Sequence, residues 1–168
     1  LPPVEKGTKL NILIEAMGRI NFGRAVKDFK GITESVTIDT EIKGHDVSYH
    51  LKNWVIAPIS DSYHTAQYAF DKLDETNRCF SPINFSSPSI GYYRGYFNLK
   101  KVGDTFLNLE QWGKGQVYVN GHALGRFWRI GPQQTLYLPG CWLKKGRNEI
   151  IVMDIVGPKA PVVWGQDQ

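Results

Sequence analysis

The sequence predicts an all-β protein, an antiparallel β-sandwich of the jelly-roll type, and three observations carry that prediction. Strand-like runs recur along the chain, each short and rich in β-branched or aromatic residues. Seventeen glycines and nine prolines among 168 residues punctuate them, as the many turns of a sandwich require. Asn120-Gly121, between Val117–Val119 and His122–Leu124, supplies the two positive-φ positions of a type I′ hairpin turn.

Taken in order, the expected strands are Leu10 to Ala16, Ser35 to Ile38, Trp54 to Ile56, Tyr92 to Leu99, Thr105 to Leu109, Gln116 to Val119, His122 to Phe127, Thr135 to Leu138 and Glu149 to Val156. Each is bounded by Gly, Pro or Asn. One short helix is expected over Tyr63 to Asp74, where Tyr63, Ala66, Tyr68, Ala69, Phe70 and Leu73 fall partly on one face.

Composition narrows the function classes. With 42% hydrophobic residues the chain can bury one good core, or one core and part of another. The formal charge of +4 is spread along the chain, with acids such as Glu15, Asp28, Asp104, Glu110 and Glu149 set among the basic residues. That pattern describes solvated faces, not a nucleic-acid footprint. No run approaches the ~18 apolar residues that span a bilayer, and Leu1-Pro-Pro lacks the basic start and apolar core of a leader. Neither a nucleic acid nor a membrane is therefore expected as a partner.

Cys79 and Cys141 form no Cys-x-x-Cys, and no His pair stands at ligand spacing, so no metal site and no cofactor are implied. The two cysteines read as unpaired small hydrophobes or, in an oxidising compartment, as a single bridge. Asn84-Phe85-Ser86 fits the glycosylation triplet, a pattern that also arises by chance.

An internal repeat organises the chain. Lys6-Gly7-Thr8-Lys9-Leu10-Asn11-Ile12-Leu13-Ile14-Glu15-Ala16-Met17-Gly18 aligns without gaps on Lys145-Gly146-Arg147-Asn148-Glu149-Ile150-Ile151-Val152-Met153-Asp154-Ile155-Val156-Gly157. Each copy is a Lys-Gly turn, a strand apolar on both faces, an acid and a glycine, and such a strand belongs in the middle of a sheet. Two domains follow: residues 1–57 as the C-terminal part of a first sandwich, and residues 58–168 as a second one. A first sandwich without its early strands would expose unpaired edges and depend on packing against other chain.

The run from Lys114 to Trp128, Lys-Gly-x-Val-x-Val-Asn-Gly-x-x-x-Gly-Arg-x-Trp, followed by Gly131-Pro132-Gln133-x-Thr135-Leu136-Tyr137, resembles the C-terminal β-sandwich of glycoside hydrolase family 35, the β-galactosidases. Gly18-Arg19-Ile20-Asn21-Phe22-Gly23 followed by Lys27-Asp28-Phe29-Lys30-Gly31-Ile32 resembles a segment that closes the first β domain of that family. The likeness weakens over residues 60–90 and resumes from Tyr92 to Gly157. It implies galactose-binding-like jelly rolls standing behind a (β/α)₈ barrel that carries both catalytic carboxylates. It also implies a workplace outside the cytosol: extracellular, periplasmic or lysosomal. No part of that barrel matches this chain, so the resemblance carries over no catalytic residue.

The residues agree with that. Retaining glycoside hydrolysis needs two carboxyl groups about 5 Å apart at a cleft, and no pair of acids here is marked out by its context. There is no Gly-x-Ser-x-Gly, no phosphate loop, and no recognisable nucleophile beside His45, His50, His64 or His122.

Two sets of candidates remain. Trp112, Asn120, His122, Arg126 and Trp128 offer the stacking face and planar polar groups that hold a sugar ring. Against this, core packing explains the tryptophans, turn geometry explains Asn120, an acid or carbonyl partner explains Arg126, and simple exposure explains His122. Arg19, Asn21, Phe22, Asp28 and Phe29 have the polar-aromatic character of an interface, and the resemblance turns them toward the catalytic barrel. The expected function is thus non-catalytic, structural and interdomain support within a β-galactosidase, with the barrel and the first β domain of the same polypeptide as partners. The alternative is an autonomous carbohydrate-binding module that takes galactose-containing glycans.

Overall fold

The computed structural model describes residues 5, 7–16, 22–24, 26–60, 62–75 and 89–167, with only the backbone of 73–75. The chain divides into two compact units, Leu1–Ala57 and Pro58–Gln168.

In the first unit, β1 (Thr37–Ile42) and β2 (His45–His50) form an antiparallel hairpin with Thr37 opposite His50. Lys43 and Gly44 at its tip both have positive φ, 53° and 79°, the geometry of a type I′ turn. Ser48 Oγ donates to Asp39 Oδ1 across the pair at 2.6 Å. β1 begins two residues after the expected Ser35 and runs four residues past Ile38. β2 was not expected, because His-Asp-Val-Ser-Tyr-His carries no apolar alternation strong enough to mark a strand.

Two expected strands of this unit are absent from the ladders. Leu10–Ala16 and Trp54–Ile56 lie outside the regular elements and join no ladder among the described residues. A strand exists only with a neighbour in register, and apolar composition alone does not supply one.

The second unit is an antiparallel sandwich with one short helix. Its four-stranded sheet has the order β3 (Gly91–Leu99), β8 (Gly146–Asp154), β5 (Lys114–Val119), β6 (His122–Trp128). Its three-stranded sheet has the order β7 (Thr135–Leu138), β4 (Thr105–Asn108), β9 (Trp164–Gln166). Here the expected strands are present within a few residues of their predicted ends, and β9, a three-residue edge, is the addition.

The core lies between the sheets. Val117, Val119, Ile150 and Val152 from the four-stranded sheet meet Leu107, Leu109 and Leu138 from the other side, with Phe127 and Trp112 closing the cluster. Each such side chain contributes about 1.5–3 kcal/mol by leaving water. β5 and β8 are buried on both faces at Val117–Val119 and Ile150–Val152 because each is covered twice there. Tyr118 and Ile151, on their outer face, pack under α1 (Tyr63–Glu75) through Ala66 and Phe70. Ser62 starts that helix, its Oγ accepting from Thr65 N at 3.3 Å. β8 therefore holds the central position its composition predicts, between β3 and β5.

Gly115 marks where these strands approach closest. A Cβ placed there would stand 1.7 Å from the Met153 carbonyl oxygen, so no other residue fits without parting β5 from β8.

Candidate functional site

The Asn120-Gly121 turn has φ values of 47° and 88°, as a type I′ hairpin demands. The Asn120 side chain does more than tolerate the turn. Its Nδ2 donates to Trp142 O at 2.7 Å and to Asn148 Oδ1 at 2.8 Å, while its Oδ1 accepts from Glu149 N at 2.9 Å. This amide is committed to binding the hairpin to β8, which leaves it little capacity for a ligand.

Trp112 is 3% exposed, in edge contact with Tyr93 at 5.1 Å, and its Nε1 donates to Val162 O at 2.8 Å. Its ring faces are occupied by protein. His122 is exposed and stacks on Trp142 with ring centroids 4.6 Å apart and planes 13° apart. Trp128 stands opposite Lys114 in the ladder, and the Lys114 Nζ lies 4.3 Å from the ring centroid. Arg126 is exposed, opposite Gln116.

These five residues do not converge. Residues paired directly across a sheet share a face. Arg126 and Trp128 lie on the outer face with Gln116 and Lys114, whereas His122 pairs with the core-facing Val119.

In the first unit, Phe22 is 90% exposed and Phe29 83% exposed, large apolar rings in water. Asp28 and Lys30 form an ion pair beside Phe29. Arg19 and Asn21 lie outside the described residues, as does Cys79; Cys141 carries a free, exposed thiol.

Two residues that sequence reasoning passed over organise the second unit. Asp154, fully buried, accepts from four backbone N–H groups: Gly113 at 2.7 Å, Lys114 at 3.4 Å, Val156 at 2.8 Å and Gly157 at 2.8 Å. Asn148, also fully buried, accepts from Lys144 N at 2.9 Å and donates to Lys144 O at 2.8 Å and Gly146 O at 3.0 Å. The signal was available in both cases: a polar residue set into a run as apolar as Ile150-Ile151-Val152 has to be satisfied locally.

Two further polar contacts hold elements in place. Tyr63 donates to Glu149 Oε2 at 2.8 Å, tying α1 to β8. Burial first, and then the Glu149 carboxylate, push the Tyr63 phenol up to about 12. Asp104 accepts from Gly140 N at 2.7 Å. That bond, helped by the Tyr137 hydroxyl, holds the Asp104 carboxyl below its usual value.

A cavity of about 650 Å³ opens where the edge strands β3 and β9 leave the sandwich unclosed. Phe97, Leu99, Leu107, Leu138, Leu143 and Val163 line it with apolar surface. Among the described residues no group of three or more His, Cys, Asp or Glu is placed to hold a metal ion. The carboxylates of Asp154, Asp104 and Glu149 serve backbone and tyrosine partners.

Residues 90–148, which include the hairpin and most of the four-stranded sheet, match the family described as "Beta-galactosidase, galactose-binding domain". Residues 3–59 match "Beta-galactosidase, first all-beta domain". The chain belongs to the β-galactosidase family.

Its second unit is the all-β, galactose-binding-like sandwich of that family. Similar proteins include "Beta-galactosidase-1-like protein 3" of Rattus norvegicus, 36% identical over 156 residues, which covers 92% of this chain and 22% of the relative. "Beta-galactosidase-1-like protein 2" of Homo sapiens is 35% identical over 167 residues, covering 94% and 23%. "Beta-galactosidase" of Mus musculus is 34% identical over 160 residues, covering 89% and 24%. The chain thus spans less than a quarter of the length of each of these β-galactosidase relatives. Among the described residues no helix is long and apolar enough to cross a membrane.

Proposed function

We propose that this chain is a non-catalytic part of a β-galactosidase and acts as structural and interdomain support for a catalytic barrel. The parent would remove terminal β-D-galactosyl residues with two carboxylates carried elsewhere, outside the cytosol. The observation that carries this reading is the apolar surface of the first unit. Phe22 and Phe29 stand in water, and Val55 and Ile56 are 93% and 86% exposed. Exposed apolar groups in such number mark a surface made to be covered. The ion-paired Asp28 beside Phe29 supplies the polar rim such an interface carries. Arg19 and Asn21 belong to the same proposed surface by their place in the sequence.

The second unit supports the reading from the other side. Its fully buried Asn148 and Asp154 hold backbone, as does the half-buried Asn120, and its candidate sugar-binding side chains are split between two faces.

The test is direct. The pure chain should hydrolyse no chromogenic galactoside, and tryptophan fluorescence should show no saturable change with galactose or galacto-oligosaccharides into the low millimolar range. Hydrolysis by the pure chain would end the non-catalytic reading. Saturable binding would replace support with a carbohydrate-binding module.

A further inference from the structure

The cavity of about 650 Å³ is apolar inside and basic at one corner, and its volume is that of a small-molecule site. Phe97 and Leu99, which share one face of β3, line it from the four-stranded sheet. Leu107 of β4 and Leu138 of β7 line it from the other.

The polar groups in its wall are mostly engaged already. Thr105 Oγ1 donates to Gln166 O at 3.1 Å, and Gln166 Oε1 accepts from Asn108 Nδ2 at 2.7 Å. Asp104 serves the Gly140 N–H and the Tyr137 hydroxyl. The cations differ. Leu99 stands opposite Gly146, so Lys100 and Lys101 leave β3 at the end where Lys144 and Lys145 lead into β8. All four are exposed, Lys101 lines the cavity, and none has an ion pair among the described residues. Like charges gathered at one corner repel one another, and a bound anion relieves that repulsion.

We propose that this cavity binds a free, single-chain anionic amphiphile, with its hydrocarbon chain between the sheets and its charged head at Lys100, Lys101, Lys144 and Lys145. The site is separate from the interdomain surface of the first unit. Its wall selects against other occupants. A sugar would bury hydroxyls against Leu and Phe side chains, and a peptide would bring an N–H and a C=O with every residue. A hydrocarbon chain brings neither. Asp167 also lines the cavity, and the four lysines outnumber it.

The experiment is calorimetric titration of the 168-residue chain with dodecanoate below its micelle concentration. One saturable site is expected. Decanoate, two methylenes shorter, should bind about fifteenfold more weakly, at about fourfold per buried methylene. Lys101→Glu, Lys144→Glu and Lys145→Glu combined should weaken dodecanoate at least ~10-fold and leave dodecanol within about twofold. Val102→Trp, at an exposed position in the cavity wall, should weaken both ligands at least ~10-fold by filling the space.

No saturable binding of dodecanoate into the low millimolar range would overturn the proposal. Equal binding by wild type and Val102→Trp would overturn it by moving the amphiphile elsewhere, the exposed apolar surface of the first unit included. Dodecanoate binding untouched by the lysine reversals would overturn the anionic head. Binding to anionic phospholipid vesicles without binding of monomeric dodecanoate would overturn it in favour of a membrane surface.

Discussion

Asn120 donates its Nδ2 to Asn148 Oδ1 at 2.8 Å, joining the tip of one hairpin to the first residues of a strand from another part of the sequence. The geometry makes Asn148 the hub. Its Oδ1 also accepts from Lys144 N, and its Nδ2 serves Lys144 O and Gly146 O. Asn148→Ala strands these groups in a fully buried site and should cost about 2–3 kcal/mol, read as a lower urea midpoint of tryptophan fluorescence. A change below about 0.5 kcal/mol would show that water substitutes for the amide.

The carboxylate of Asp154 is built for N–H donors alone. Asparagine at that position keeps the size but turns an NH₂ group toward donors it cannot accept from. Asp154→Asn should therefore destabilise the second unit by about 2–4 kcal/mol, close to the cost of Asp154→Ala. Equal stability of wild type and Asp154→Asn would disprove this account of the site.

Gly115 faces the Met153 carbonyl at a distance no Cβ can occupy. Gly115→Ala should separate β5 from β8 and yield protein without protected amides in 150–154. Gly103→Ala, at a position with open space around it, is the control and should leave the fold unchanged.

Acid should loosen the Asp104 contact. Its folded-state pKa lies below the usual 3.8, owing first to the Gly140 N–H and then to the Tyr137 hydroxyl. Stability from this group is complete above 3.8 and is lost as pH falls through the folded value. Between pH ~5 and ~2 the wild type should lose more stability than Asp104→Asn, measured as urea midpoints on both proteins. Parallel losses would remove Asp104 from the acid response.

Alkali acts on the other contact in the opposite sense. The Tyr63 phenol is raised from 10.0 to about 12, chiefly by burial and then by its bond to Glu149. Its contribution is complete below 10.0 and is lost as pH rises toward 12. Tyr63→Phe should remove this alkaline sensitivity, and phenolate absorbance should show one tyrosine fewer titrating late. Identical alkaline unfolding of the two proteins would refute the assignment.

Much of the second unit was legible from residue pattern. Tyr92–Leu99 and Glu149–Val156 announce themselves because β-branched and aromatic residues run between turn formers, and Asn120-Gly121 admits few conformations other than its hairpin. Legibility failed where the deciding partner lies elsewhere. His45–His50 became a strand because Thr37–Ile42 lies beside it, and Trp164–Gln166 because Thr105–Asn108 offers an edge. Leu10–Ala16 has the composition of a strand and joins no ladder among the described residues. The dispersal of the candidate side chains was hidden for a related reason. Trp112, His122 and Trp128 offer suitable chemistry by residue type, but the bulge between Val117 and Tyr118 changes the register so that His122 and Trp128 lie on different faces.

The place of β8 bears on how this chain is made. The strand that joins β3 to β5 leaves the ribosome after both of them. Until Gly146–Asp154 emerges, a nascent chain holds β3 on one side and the β5–β6 hairpin on the other, with no template between them. The core residues of both wait in contact with solvent and neighbouring chains, and the closing contact spans more than fifty residues of sequence. Folding of this unit should therefore depend on holding chaperones between the emergence of β3 and that of β8, and slowing the ribosome between Leu99 and Gly146 should favour aggregation over folding.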